Sequence, residues 1–389
     1  MPAHATRRAH RAAQDFLHLP IPLPRPLADQ SWQAITITSG LALVGGLTLF
    51  SVADGSFSPW AASHGVRFFL FLAVAIGISY IPVTFYKPLV YPALAASLLL
   101  LVAVLLLGAI KGGARSWLDL GFMQIQPSEL VKIALLGVLA RFFETVPPTE
   151  MRSLRALWPP IVLTAVPFLL IAAQPDLGTG MLLLLSAAIS CFLAGFPLMW
   201  FVGAGLAIAV SIPVIYTFLL LPHQQQRLTI FLNPQDDPLG AGYHVSQSLI
   251  AIGSGGIDGK GWLGGSQSHL QYLPETHTDF IFSAIAEEWG LIGGIVVIML
   301  FGLLVRWGMK VSRKAGGRFE KLFAGSLINS LYLYIAINLM MVIGLAPVVG
   351  IPLPLVSYGG SAMMAAMLSI GLLMGIDRAN RRSPRDIRP

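Results

Sequence analysis

Val90–Ile110 reads VYPALAASLLLLVAVLLLGAI, an apolar run without a single charged residue. A helix needs roughly 20 mostly apolar residues to cross the hydrocarbon of a bilayer, and only helices and closed barrels satisfy their own backbone hydrogen bonds there. The run therefore reads as a membrane-spanning helix. The same pattern recurs near Gln33–Val52, Val66–Phe85, Ser128–Phe143, Leu157–Ala173, Thr179–Leu193, Met199–Leu221, Phe280–Leu304, Leu322–Leu345 and Leu355–Gly375. The Ser128 run carries Glu129 and Lys132 in its first turn and Arg141 near its end, and is still read as a helix. With 55% hydrophobic and 11% charged residues and a mean hydropathy of +0.74, an ordinary soluble surface is excluded. The expected fold is an all-α polytopic membrane protein of about ten transmembrane helices.

Basic residues flanking spans stay preferentially in the cytoplasm. One set of connections holds Arg7, Arg8, Arg11, Arg25, Lys87, Arg141, Arg152, Arg155, Arg306, Lys310, Arg313, Lys314, Arg318 and Lys321, then Arg378, Arg381, Arg382, Arg385 and Arg388. The alternate set holds only Arg67, Lys111, Arg115, Arg227 and Lys260. Both termini are thus expected in the cytoplasm, with the second set extracytoplasmic. The net charge of +7 is then a consequence of topology rather than a nucleic-acid footprint. The lone cysteine, Cys191, sits in an apolar run and excludes an intrachain disulfide or a thiolate metal cluster.

Residues 1–30 read as a flexible basic cytoplasmic tail, 31–376 as the membrane domain, and 377–389 as a second basic tail. Most connections are short, but the segment of about 222–279 between the seventh and eighth spans is expected to be a long extracytoplasmic loop rich in glycine turns. Within it, Tyr243–Gly253 has the spacing of a short amphipathic helix lying on the bilayer.

Two clusters could carry chemistry. LPETHTDFIF (Leu273–Phe282) places Glu275, His277 and Asp279 at the outer end of a span, where Thr278 or Asp279 could equally serve as a helix cap. KGGARSWLDLGFMQIQPSELVK (Lys111–Lys132) holds Arg115, Trp117 and Asp119 before a helix on which Glu129 and Lys132, three apart, share a face. A charged pair at membrane depth is costly and points to function. QPDLGTG (Gln174–Gly180) reads as a turn and cap around Asp176, and IPLPLVSYGGS (Ile351–Ser361) as a broken or re-entrant segment that lines a cavity or shapes a loop. There is no P-loop and no zinc spacing.

In order along the chain, QPSELVK (Gln126–Lys132), QPDLGTG, Arg227–Trp262, LPETHTDFIF and PLVSYGGS resemble the SEDS family of bacterial shape, elongation, division and sporulation proteins. FLNPQDDPLGAGYH and GKGW bring the resemblance nearer to its elongation branch, RodA, than to its division branch, FtsW. The resemblance implies a peptidoglycan glycosyltransferase of the inner membrane that joins lipid II to a growing glycan strand with inversion, and it matches Asp279 to the family's essential acid. Asp279 is then the general base. Arg115, Trp117, Glu129, Lys132, Arg227, Glu275 and His277 are the expected substrate-binding residues. The departing diphosphate would need positive charge from Arg115, Lys132, Arg227 or a divalent cation such as Mg or Mn, with no nucleotide.

A lipid II flippase and a non-catalytic scaffold of the elongation complex are the rival readings. The chain has no Ser-x-x-Lys transpeptidase centre, so the resemblance implies a class B penicillin-binding protein as partner, among other elongation-complex membrane proteins. Gly290, Gly293, Gly294, Gly325 and Ser326 are either its docking stripe or internal packing positions.

Overall fold

The structure, a computed structural model, describes residues 29–382 apart from 112–113, 120–123, 221, 233–240, 270–271 and 274. The expected tails therefore fall outside it, except that residues 377–382 continue the last helix. The long helices are α1 (Trp32–Val52), α2 (Ala61–Ser79), α3 (Val90–Leu107), α4 (Pro127–Thr145), α5 (Leu154–Ala172), α6 (Leu177–Ala194), α7 (Leu198–Val214, extended by a π-turn over Ile215–Leu219), α8 (Ile281–Lys314), α9 (Arg318–Val342) and α10 (Gly360–Arg382). Among the described residues, nine helices are long and apolar enough to cross a membrane. The tenth long helix, α4, carries Glu129, Lys132, Arg141 and Glu144 and is nonetheless deeply buried, with Leu135, Leu136, Leu139 and Phe143 in the core. Glu129 and Lys132 face protein, while Arg141 and Glu144 pair with each other in a partly exposed position.

Lipid supplies no hydrophobic force between helices, so close packing and polar pairs hold the bundle together. α4, α9 and α10 form its centre, while α7 has no buried residue and presents its side chains outward. Ser186 meets Ser330 at 2.9 Å and Ser190 meets Ser326 at 2.5 Å, joining α6 to α9. A side chain at Gly325 would press on Ser312 and Leu193, and one at Gly293 would overlap Trp289 of its own helix. These residues are internal packing positions. Of the two readings open for them, the burial of these positions supports internal packing.

The other departures have local causes. Val90–Ile110 is shorter as a helix because Gly108 turns extended (φ −68°, ψ 148°) and Ala109–Lys111 becomes β1 of a small antiparallel sheet with β2 (Ala114–Asp119) and β3 (Gln124–Ile125). The all-α expectation thus has one exception, at a connection. The eighth helix runs on to Lys314, its last ten residues adding about 15 Å of basic helix beyond the expected span.

The expected long loop is mostly helical: Pro222–Leu232, Ala241–Gly255 and Ser266–His269 are helices. Ala241–Gly255 does form at the anticipated place. It buries Ser248 and Ala251 against the bundle and leaves Leu249 and Ile250 exposed.

Gly255 and Gly259 of this segment serve close approach to α8. At Gly290 (φ 65°, ψ −162°) the backbone of α8 breaks, and residues 256–261 stitch the gap. Lys260 and Gly261 donate backbone bonds to the carbonyls of Glu287 and Glu288 at 3.0 and 2.9 Å, and Leu291 donates to Gly256 at 2.9 Å. A Cβ at Gly255, Gly259 or Gly290 would overlap backbone atoms of the facing strand of chain. Gly290→Ala should therefore lower stability by about 1–3 kcal/mol or more, from left-handed strain plus the clash. Gly253→Ala, on a helix with open space around it, should be neutral within about 1 kcal/mol. Thermal unfolding in detergent checks both, and equal midpoints would refute the stitched break.

Candidate active site

Pro127 opens α4 at its first turn, where proline costs no hydrogen bond, and sets Glu129 near the positive helix end. One turn of spacing brings Lys132 Nζ to 2.8 Å from Glu129 Oε1, with the two residues only 4% and 2% exposed. Tyr334 of α9 completes the group. Its hydroxyl donates to Glu129 Oε1 at 2.9 Å, and Lys132 Nζ lies 4.2 Å over its ring. A cavity of about 30 Å³, room for a water or two, adjoins Glu129, Lys132, Tyr334, Pro354 and Ser369. The expected ion pair is thus real and buried.

QPDLGTG caps α6 as expected: Asp176 Oδ1 accepts from the Thr179 backbone at 3.2 Å. Its other oxygen accepts from Gln126 Nε2 at 2.8 Å, tying this hairpin to the start of α4. The Gln126 backbone donates to Ser361 Oγ at 2.9 Å, and Ser361 Oγ donates to the Gln124 carbonyl at 3.0 Å, bringing in the start of α10. The segment before α10 is non-helical and buried, with Ile351, Leu353, Leu355 and Val356 at most 3% exposed. It does line the cavity, through Pro354.

Asp279 sits in the turn of residues 275–280 that leads into α8. The capping position is Phe280, so neither Thr278 nor Asp279 occupies it, and the Thr278 hydroxyl instead bonds Glu275 Oε2 at 2.7 Å. The turn is fixed from behind by the PLVSYGGS segment: Tyr358 N donates to the His277 carbonyl at 2.9 Å and Ser357 Oγ to the Thr278 carbonyl at 2.5 Å. Asn338 Nδ2 of α9 donates to the Asp279 carbonyl at 2.9 Å. Tyr334, which holds Glu129, lies one helical turn before Asn338, which holds the Asp279 carbonyl.

The His277 ring stacks on Trp60 at 4.4 Å and 11°, and Arg67 rests 4.7 Å over Tyr358 beside it. Burial holds the His277 imidazole below its ordinary pKa, partly offset by Glu275. The neutral ring is therefore the folded form. Its contribution to stability is full above the unfolded value of about 6.5 and is lost as pH falls through the lower folded value. Thermal midpoints should drop between pH 7.5 and 5, and His277→Phe, which keeps the stack, should flatten that drop. An unchanged slope would exclude His277 as its source.

The structure therefore gathers Glu129, Lys132, His277 and Asp279 at one end of the bundle. Glu275 is exposed on the same turn with φ +55°. Trp117 is half-buried on β2, paired with Ala109, in the small sheet. Arg115 lies on β2 and Arg227 on the helix Pro222–Leu232, and their side chains lie outside the described residues.

Trp60, Arg67, Tyr334, Asn338 and Tyr358 were not singled out in the sequence. Only Arg67, as a cation in the sparsely charged set of connections, and Tyr358, inside PLVSYGGS, left a trace there. Lys260, another of that set, is accounted for by buried Glu287, whose Oε1 accepts it at 2.5 Å together with Ser266 and the Gln267 backbone at 3.0 Å each. Among the described residues no three His, Cys, Asp or Glu side chains come together to hold a metal ion.

A family profile described as cell cycle protein, FtsW/RodA/SpoVE, matches residues 29–382. The peptidoglycan glycosyltransferase MrdB of Escherichia coli (strain K12) is 48% identical over 281 residues, covering 72% of this chain and 75% of that protein. The peptidoglycan glycosyltransferase RodA of Treponema pallidum (strain Nichols) is 34% identical over 356 residues, covering 73% and 81%. Among solved structures, a chain of a peptidoglycan synthase complex that coordinates polymerization and crosslinking superposes with a TM-score of 0.80 at 30% identity, covering 91% of this chain and 99% of that one. The rod shape determining protein RodA of Thermus thermophilus superposes with a TM-score of 0.69 at 28% identity, covering 91% and 98%. Motif order, ten-helix architecture and these likenesses agree: the chain belongs to the FtsW/RodA/SpoVE family, the SEDS proteins.

Proposed function

We infer that this chain is a peptidoglycan glycosyltransferase that polymerises lipid II at the extracytoplasmic face of the bacterial cytoplasmic membrane, both termini lying inside. The observation that carries the reading is a chain of bonds linking the motifs: QPSELVK meets QPDLGTG through Gln126 and Asp176 and meets Ser361 of PLVSYGGS, and that segment in turn holds the Asp279 turn through Ser357. In the reaction an acceptor hydroxyl attacks the anomeric carbon of the donor sugar. The new glycosidic C–O bond forms as the bond to undecaprenyl diphosphate breaks, with inversion, and the hydroxyl proton passes to Asp279.

The leaving diphosphate needs positive charge aimed at it. Lys132 is buried and committed to Glu129, so half-exposed Arg67 joins Arg115 and Arg227 as a better-placed source. A divalent cation such as Mg or Mn bound with the diphosphate would add to that positive charge. Trp117, Glu275 and His277 remain proposed sugar and peptide contacts. The partner is a class B penicillin-binding protein that cross-links the product, a reading supported by the solved synthase complex.

Purified protein given lipid II, with and without that partner, should make glycan polymer. A flippase would move lipid II across vesicle membranes without making polymer, and a scaffold would tolerate Asp279→Ala with wall synthesis intact. Absence of polymer in both conditions would defeat the enzymatic reading. The flippase alternative is further disfavoured because the buried charged pair sits at the start of α4, beside Asp279's turn, rather than along a path through the bilayer.

A further inference from the structure

We propose that Asn338 is a positioning residue for Asp279, a role that rests on the reading of Asp279 as general base. Asn338 is fully buried in α9, and its single amide nitrogen serves two carbonyls from distant parts of the chain: Asp279 at 2.9 Å and Ile351 at 2.6 Å. Only the NH2 end of the amide can face two carbonyl oxygens, so its orientation is fixed by its partners. The clamp joins the base-bearing turn to the segment that borders the carboxylate, because Gly350, next to Ile351, has φ +70° and a Cβ there would stand 3.5 Å from Asp279 Oδ2.

Asn338 Oδ1 is left buried with no hydrogen-bond partner. An apolar residue here would in turn leave the carbonyls of Asp279 and Ile351 without this donor, so the amide ties the two segments to each other. One turn earlier on the same helix face, Tyr334 holds Glu129. α9 thus acts as a strut: two side chains four residues apart set the spacing between the ion pair and the turn that carries the base.

The test uses the full-length protein in detergent with Asn338→Asp and Asn338→Ala, and lipid II as the probe. Hydrogen exchange should quicken at backbone amides of residues 277–283. Turnover per folded molecule should fall about 10- to 100-fold with KM changed less than about twofold, because a base displaced by a fraction of an ångström loses rate while substrate contacts persist. Asn338→Asp should also gain a pH limb absent from the parent, with activity recovering toward acid pH as its carboxyl protonates and regains one donor.

Unchanged exchange together with unchanged turnover overturns the proposal. So does a loss of activity that merely follows the loss of folded protein. Asp279→Asn assayed in parallel separates the two ideas: if that variant polymerises, the base assignment falls and the catalytic consequence with it, while local exchange in the Asn338 variants still reports on the clamp.

Discussion

Asp279→Asn is expected to abolish glycan polymerisation while leaving the chain folded and inserted in the membrane. The amide has nearly the carboxylate's shape but cannot take the proton of an attacking hydroxyl, and loss of a positioned general base costs about 10²–10⁴-fold in rate. Folding should survive because backbone bonds that the substitution leaves in place hold this turn. Tyr358, Ser357 and Asn338 bind the carbonyls of His277, Thr278 and Asp279, and the α8 cap position belongs to Phe280. The measurement is polymer formed from lipid II by purified parent and variant, with thermal unfolding recorded for both. Parent-like polymer from a well-folded Asp279→Asn would remove Asp279 from the chemistry. A variant that fails to insert would instead make its carboxylate a structural element.

The legible parts of this molecule are those encoded locally. Helix spans follow from apolar runs. The Glu129–Lys132 pair follows from a three-residue spacing that any helix would honour. Residues contributed from afar were not legible. Tyr334 reaches Glu129 from 205 residues away, and Asn338 and Trp60 meet the Asp279 turn through the packing of whole helices, which no periodicity records. The glycines between 253 and 265 were legible as turns, and Gly256, Gly259 and Gly261 do take positive φ, but the close approach of Gly255 and Gly259 to the chain at Ala286–Gly290 was not, because it depends on a distant segment.

The largest stability effect is expected at the ion pair, and it should be asymmetric. Removing one partner of a buried pair strands the other in a low-dielectric interior, at a cost of about 3–5 kcal/mol. After Lys132→Ala, Glu129 still accepts from the Tyr334 hydroxyl at 2.9 Å. After Glu129→Ala, Lys132 retains only the face of the Tyr334 ring at 4.2 Å among the partners described for it, an interaction of about 0.5–2 kcal/mol. Glu129→Ala should therefore be the more damaging single change, both in thermal midpoint and in polymerisation. The double variant should be less destabilised than the sum of the two, with a coupling of about 1–3 kcal/mol, because it strands neither charge. Strictly additive losses would mean that the two groups do not stabilise each other in the membrane. The coupling should persist at high salt, since a pair 2–4% exposed is hardly screened, whereas an exposed pair such as Arg382 with Asp29 should lose its contribution.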